Sequence, residues 1–147
     1  AAIRTDLPIP VDLPFYYWEA LVVSRGIHGL VSIGVSTANA GLDRHVGWDD
    51  GSIGYHGDDG MLFRASGTGR PFGPTFGTGD VIGCGLDGIR GRGVFTRNGA
   101  VVGECAVLEQ GDRWFPSVAL RTPEAKVRVN FGTRPFSFRV DDYIREL

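Results

Sequence analysis

Hydrophobic and polar positions alternate in short runs along most of the chain, and hardly anywhere at helical spacing. From Phe15 to Val23 aromatic and aliphatic residues occupy both faces of an alternating run, and from Leu30 to Ser36 every second residue is apolar. Period-two alternation of aromatic and β-branched residues is typical of β-strands. The predicted strands are 15–23, 30–36, 53–56, 61–65, 80–87, 93–97, 100–105, 114–120 and 126–131.

Turn residues separate these runs and predict how neighbouring strands connect. Asn98-Gly99 lies between two apolar runs, which is the strongest short hairpin signal because a type I′ turn needs two residues with positive φ. With the Asp87-Gly88 turn before it, this predicts a three-stranded antiparallel meander. We also expect 114–120 to pair with 126–131, and one helical turn near the end, capped by Asp141 or Asp142. The whole pattern predicts an all-β fold, a two-sheet antiparallel β-sandwich.

Length and composition indicate one domain and exclude several classes of function. At 147 residues, with 42% hydrophobic residues, the chain can bury one core. Residues 1–14, with three prolines, are predicted to be an extended lead-in on the edge of a single domain 15–147. A net charge of -2 gives no basic footprint for nucleic acid or a membrane surface. Cys84 lies in an apolar run and is predicted to be a buried free thiol, which indicates a reducing compartment. A disulfide between Cys84 and Cys105 remains an alternative.

Candidate catalytic and metal sites are weak. No nucleophile elbow or zinc-type Cys and His spacing occurs. A Gly-x-Gly-x-x-Gly match at 83–88 leads into another strand rather than a helix, so it does not predict a nucleotide site. His56 with Asp58 and Asp59 could bind a metal, but a glycine-flanked acidic turn is more typical of a solvated hairpin tip. We therefore expect no catalytic residue, no metal and no cofactor.

Two loops are better candidates for function. Thr37–Ser52 is an aperiodic stretch of 16 residues, and ordered loops of that length are usually functional. Its Trp48 either anchors the loop or faces a ligand. Tyr55 follows the loop, and we expect its ring to pack while its hydroxyl faces solvent. Arg44 in this loop and Arg121 in a second loop have the fork geometry that binds carboxylates and peptide carbonyls.

Four separated motifs occur in the order and spacing of SPRY domains. They are GDVIGCGLD at 79–87, FTRNG at 95–99, FPSV at 115–118 and VNFG at 129–132, so the chain from about Phe15 to Leu147 resembles a SPRY domain. Within it, GWD at 47–49, GYHGDDG at 54–60 and FGP at 72–74 are similar to the SPRY domains of Ran-binding-protein-M-type scaffold subunits of the GID/CTLH ubiquitin ligase. Val46 stands where that subfamily often has proline, and Ile53 where it often has tyrosine.

The resemblance implies a bent β-sandwich with little helix that acts as a non-catalytic protein-interaction module. Loops at one end would bind a short peptide or loop of a partner, in a complex with ubiquitin ligase subunits or a substrate receptor in the cytoplasm and nucleus. Carried over by position, the binding residues are Asp43, Arg44, His45, Val46, Tyr55, His56, Arg121, Thr122 and Pro123. Tyr55 would form a wall of the site, Arg44 and Arg121 would pair with acidic or carbonyl groups, and Thr122 would bind the peptide main chain.

One alternative from a different class stays open. Lectin-type sandwiches bind carbohydrate with Asp, Asn, Gly and an aromatic ring on loops, and Tyr55, Asp58 and Asp59 are close in the sequence. The absence of a secretion signal pattern and of a disulfide framework counts against this carbohydrate-binding hypothesis.

Overall fold

A computed structural model describes residues 1–10, 13–107 and 113–147, so residues 11–12 of the predicted lead-in lie outside the described residues. Eleven strands and one short helix occur in this part of the chain. They are β1 (Ala2–Arg4), β2 (Phe15–Ser24), β3 (Val31–Ser36), β4 (Ser52–His56), β5 (Met61–Arg64), β6 (Arg70–Pro71), β7 (Val81–Asp87), β8 (Arg92–Arg97), β9 (Ala100–Ala106), β10 (Phe115–Leu120), β11 (Lys126–Asn130) and α1 (Val140–Arg145).

The strands form two antiparallel sheets packed face to face, which confirms the predicted β-sandwich. The first sheet has the order β1-β10-β3-β4-β5-β6, and the second has the order β11-β2-β7-β8-β9. Alternate residues of each strand point between the sheets. Large buried side chains from both sheets, among them Trp18, Ile33, Tyr55 and Phe95, form one core. No helix of the described ranges is long and apolar enough to cross a membrane.

The predicted meander forms as expected. Strands β7, β8 and β9 pair consecutively, and the Asn98-Gly99 turn between β8 and β9 has φ values of 51° and 85°. The glycine-rich 83–88 match lies in β7 and its following turn, not at a helix. A Cβ on Gly85 would come within 2.6 Å of the Phe15 ring, so these glycines let an aromatic ring lie against the strand. Cys84 is a free, buried thiol, as is Cys105.

Two local predictions are wrong. Strands β10 and β11 do not pair with each other, because β10 lies between β1 and β3 in the first sheet while β11 pairs with β2 in the second. The loop 121–125 therefore crosses from one sheet to the other. Helix α1 forms, but Arg139 occupies its N-cap position without a side-chain cap, and Asp141 and Asp142 lie in the first turn. There the two carboxylates face the positive end of the helix dipole.

Candidate functional site

The long loop between β3 and β4 has a closed, hydrogen-bonded conformation. Its ends meet where Thr37 N donates to Gly51 O at 2.7 Å. Inside it, Gly47 N donates to Ser52 Oγ at 2.9 Å, and that hydroxyl donates to Asp49 O at 2.7 Å. These bonds are made within the chain itself, so they hold the loop in this conformation without a partner molecule.

The second half of the loop lies across the outer face of the first sheet. Val46 N donates to Ser32 Oγ at 3.1 Å, and the same hydroxyl lies 2.9 Å from His45 Nδ1. His56 Nε2 lies 2.7 Å from Val46 O. A carbonyl oxygen only accepts, so Nε2 of His56 carries the proton. Gly54 permits this crossing, because a Cβ there would overlap the Val46 carbonyl.

The two buried histidines, His45 in the loop and His56 beneath it, are held neutral. Burial, together with smaller contributions from His56, the amino terminus and Arg121, lowers the pKa of His45 to about 4. Burial also lowers the pKa of His56, although its hydrogen bond to Val46 O acts in the opposite direction. Neutral rings can be buried at pH 7 without the large cost of an unpaired charge.

Trp48 anchors the loop rather than facing outward. Its half-buried ring lies 5.3 Å from the His45 ring and 6.3 Å from the Phe63 ring, measured between centroids. The Arg44 guanidinium covers the indole at 5.9 Å and pairs with Asp49 at 3.3 Å. Arg44 is therefore held in place by two contacts while half of its side chain stays exposed.

The nine predicted binding residues divide by exposure. The exposed ones are Asp43, Arg44, Arg121 and Pro123, and Thr122 is half-buried. His45, Val46, Tyr55 and His56 are buried. The buried four lie beneath the surface, and their part in partner binding stays a prediction.

Tyr55 corrects the sequence prediction most clearly. Its side chain has 0% exposure, and its ring packs between the sheets 4.9 Å from Phe76 and 5.8 Å from Phe95. The hydroxyl donates to the Pro74 carbonyl oxygen, and burial raises the pKa of the phenol to about 12. The expectation of a solvent-facing hydroxyl is wrong because alternation points Tyr55 inward and His56 outward, whereas the role of Tyr55 in partner binding stays a prediction.

The exposed candidates lie on neighbouring loops near the start of β3. Ala2 N donates to Leu42 O at 2.7 Å, and Leu120 N donates to Ala1 O at 3.2 Å. The amino-terminal strand thus joins the long loop to the β10–β11 loop. The β2–β3 loop extends this surface, since a Cβ on Gly26 would overlap Thr122 Oγ1.

The sequence interpretation missed the β2–β3 loop. Ile27 is 77% exposed there, next to an exposed His28. The available signal was an apolar residue framed by Gly26 and Gly29, both of which adopt positive φ. We call the surface formed by residues 27–28, 42–44 and 121–123 the rim surface.

The geometry required by the carbohydrate-binding hypothesis does not form. Asp58 and Asp59 lie on an exposed turn, where Asp59 Oδ1 accepts a hydrogen bond from Met61 N at 2.9 Å. The Tyr55 ring is buried between the sheets, so it cannot stack on a sugar beside them. No group of three potential metal ligands occurs among the residues described by the structure.

Comparison with known proteins identifies similar chains. A family model described as SPRY domain matches residues 15–134. The chain is 46% identical over 146 residues to Ran-binding protein 9 of Xenopus laevis, covering 99% of this chain and 26% of that protein. It is 38% identical to the Ran-binding protein M homolog of Arabidopsis thaliana, covering 96% and 30%. A crystal structure of a human SPRY domain superposes with a TM-score of 0.80 at 28% identity, covering 91% of this chain and 86% of that one.

Proposed function

Because this chain belongs to the SPRY domain family and is a protein-interaction module, we propose that it binds a short peptide segment of a partner through the rim surface. One observation carries the proposal. The long loop beside that surface is already closed by backbone hydrogen bonds and anchored by Trp48. A preformed loop binds without the entropic cost of becoming ordered.

The exposed side chains indicate the chemistry of the peptide. Arg121 is exposed, and its guanidinium takes part in no ion pair found among the described residues. Leu42, Ile27 and Pro123 add apolar contact area around it. A peptide with one acidic side chain next to one or two apolar side chains matches this surface. A guanidinium can bind such a carboxylate with two parallel hydrogen bonds.

The buried residues support the proposal indirectly. His45, Val46 and His56 hold the segment that carries Asp43 and Arg44, through bonds of 2.7 to 3.1 Å. A small rigid site of this kind is consistent with roughly micromolar binding, about 8 kcal/mol. Mutations beneath the loop are then expected to weaken binding by displacing the surface rather than by removing contacts.

Panning a random twelve-residue display library against the purified chain tests peptide binding. We expect enrichment of sequences with an acidic and an apolar residue close together. Arg121→Ala should weaken the enriched peptides at least tenfold, because a hydrogen bond to a charged group contributes about 1.5–3 kcal/mol. Arg145→Ala is the matched control, since Arg145 is an exposed arginine on α1. Peptides that bind the Arg121 variant as tightly as the unchanged chain would remove the rim surface from the proposal.

A second part of the proposal concerns the assembly. The chain spans about a quarter of the length of Ran-binding protein 9 from Xenopus laevis. The resemblance to Ran-binding-protein-M-type proteins supports a role in positioning substrates or a substrate receptor in a GID/CTLH-type ubiquitin ligase, in the cytoplasm and nucleus. Affinity purification of the full-length parent protein followed by mass spectrometry tests this. Co-purification of RING-type ligase subunits is expected, and their consistent absence would contradict it while leaving peptide binding intact.

A further inference from the structure

A second candidate surface lies at the open side of the sandwich, where the edge strands β1 and β11 face each other. An apolar groove of about 540 Å³ enters between the two sheets there. It is lined by Ile3 of β1, Val118 and Leu120 of β10, and Val127, Val129 and Phe131 of β11 and its continuation. Trp18 lies at its base, with its ring 5.9 Å from that of Phe131.

Large apolar side chains at this groove remain open to solvent. Ile3 is 73% exposed and Val129 is 37% exposed. Both belong to strands at the end of a sheet, and in the described residues β11 pairs only with β2. An edge strand offers unpaired backbone groups to an incoming strand, and the volume fits a few side chains rather than a folded domain.

The charge along β11 distinguishes between possible occupants. From Ala125 to Arg134 the chain carries Lys126, Arg128 and Arg134 and no acidic residue. None of these three cations takes part in an ion pair within the described ranges. A second copy of the chain paired edge to edge along β11 would bring like charges together, which is destabilising across strands. Acidic side chains on an incoming strand would instead face opposite charge.

We propose that this groove binds an extended segment of another protein in which large apolar residues alternate with acidic residues. The segment would add a strand beside β11. Its apolar side chains would enter the groove against Ile3 and Val129, and its acidic side chains would lie on the opposite face near Lys126 and Arg128. Addition of a strand to a sheet edge gives affinity through the backbone and specificity through alternate side chains. The site differs from the rim surface and meets it at Arg121–Pro123.

A synthetic nine-residue peptide that alternates glutamate with valine and phenylalanine, labelled with fluorescein, tests the proposal by anisotropy. A peptide with lysine in place of every glutamate is the charge-reversed control. We expect the acidic peptide to bind, to bind more weakly as salt increases, and to bind at least tenfold more tightly than its reversed counterpart. Equal binding of the two peptides, or no binding of the acidic one, would overturn the proposal.

Substitutions locate the binding surface. Val129→Asp and Ile3→Asp should each weaken the acidic peptide at least tenfold, while Ile89→Asp should not, because Ile89 is 76% exposed on the β7–β8 turn. Thermal unfolding checks that each variant folds. Weakening by Arg44→Ala but not by Val129→Asp would assign the peptide to the rim surface and refute the groove. Self-association of the unchanged chain that Val129→Asp abolishes would identify a second copy as the occupant and also refute it.

Discussion

Replacing Gly54 with alanine tests whether the long loop is held by its crossing over the first sheet. A Cβ on Gly54 would overlap the Val46 carbonyl oxygen and lie 2.6 Å from its carbonyl carbon. Two non-bonded carbon atoms normally approach no closer than about 3.5 Å, so the loop must move by roughly 1 Å. Both neighbours in the clash are backbone atoms, so rotation of a side chain cannot relieve it.

The expected destabilisation follows from the bonds that this movement breaks. The shift would stretch the bond from Val46 N to Ser32 Oγ and the bond from His56 Nε2 to Val46 O, now 3.1 and 2.7 Å. Two hydrogen bonds contribute about 1–3 kcal/mol, and overpacking costs about 1–3 kcal/mol. In the opposite direction, alanine within a strand is more favourable for folding than glycine by roughly 0.5–1 kcal/mol. We therefore expect Gly54→Ala to lower the free energy of unfolding by about 1–5 kcal/mol.

Urea denaturation followed by tryptophan fluorescence measures this change. Gly67→Ala is the matched control, because a Cβ on Gly67 meets no atom within 4 Å and its φ is not in the positive region. The control should stay within about 0.5 kcal/mol of the unchanged chain. If Gly54→Ala is as stable as the control, the loop is not constrained by this crossing and the rim surface is not preformed in the way described.

Three further predictions concern buried polar groups. Burial lowers the pKa of His45 to about 4, so below pH 6.5 the unfolded chain binds more protons than the folded chain. The free energy of unfolding, measured by urea denaturation, should therefore fall by roughly 3 kcal/mol between pH 6.5 and pH 4. His45→Asn should make this pH dependence flatter. Glu19 accepts hydrogen bonds from the backbone N–H groups of Ser137 at 3.1 Å and Phe138 at 3.0 Å. Glu19→Gln should lower the free energy of unfolding by about 1.5–3 kcal/mol and speed amide hydrogen exchange in residues 137–145. Unchanged exchange in that segment would contradict this role of Glu19. Tyr55→Phe removes the hydrogen bond from the hydroxyl to Pro74 O and should lower the free energy of unfolding by about 1 kcal/mol without changing peptide affinity. A loss of peptide affinity without a loss of stability would show that Tyr55 takes part in binding.

Local patterns were sufficient for much of the fold. Asn98-Gly99 predicted a hairpin because few residue pairs tolerate two positive φ values, and the structure has both. Alternation from Phe15 to Val23 predicted β2, which spans Phe15–Ser24. These features depend on a few consecutive residues and on the choice between water and an apolar interior, so they can be predicted without knowledge of neighbouring elements.

The candidate site was only partly predictable for a physical reason. Length and composition pointed to the loop containing Asp43 and Arg44, and to the Arg121 loop, and the exposed side chains of both lie on the rim surface. The burial of His56 beneath the long loop could not be predicted, because it depends on where residues ten positions earlier fold back. Ile27 was missed because a single apolar residue in a turn is not part of a repeating hydrophobic pattern.

The sequence alone determined the positions of most strands, the tight turns and the family resemblance, because each rests on short-range sterics, on alternation or on motifs several residues long. Only the tertiary structure decided that β10 and β11 belong to opposite sheets and that Tyr55 faces the core. It alone also revealed an apolar groove between the edge strands. Those outcomes depend on pairings between residues far apart in the chain, where many partners satisfy the same local pattern and only simultaneous packing of both sheets selects one.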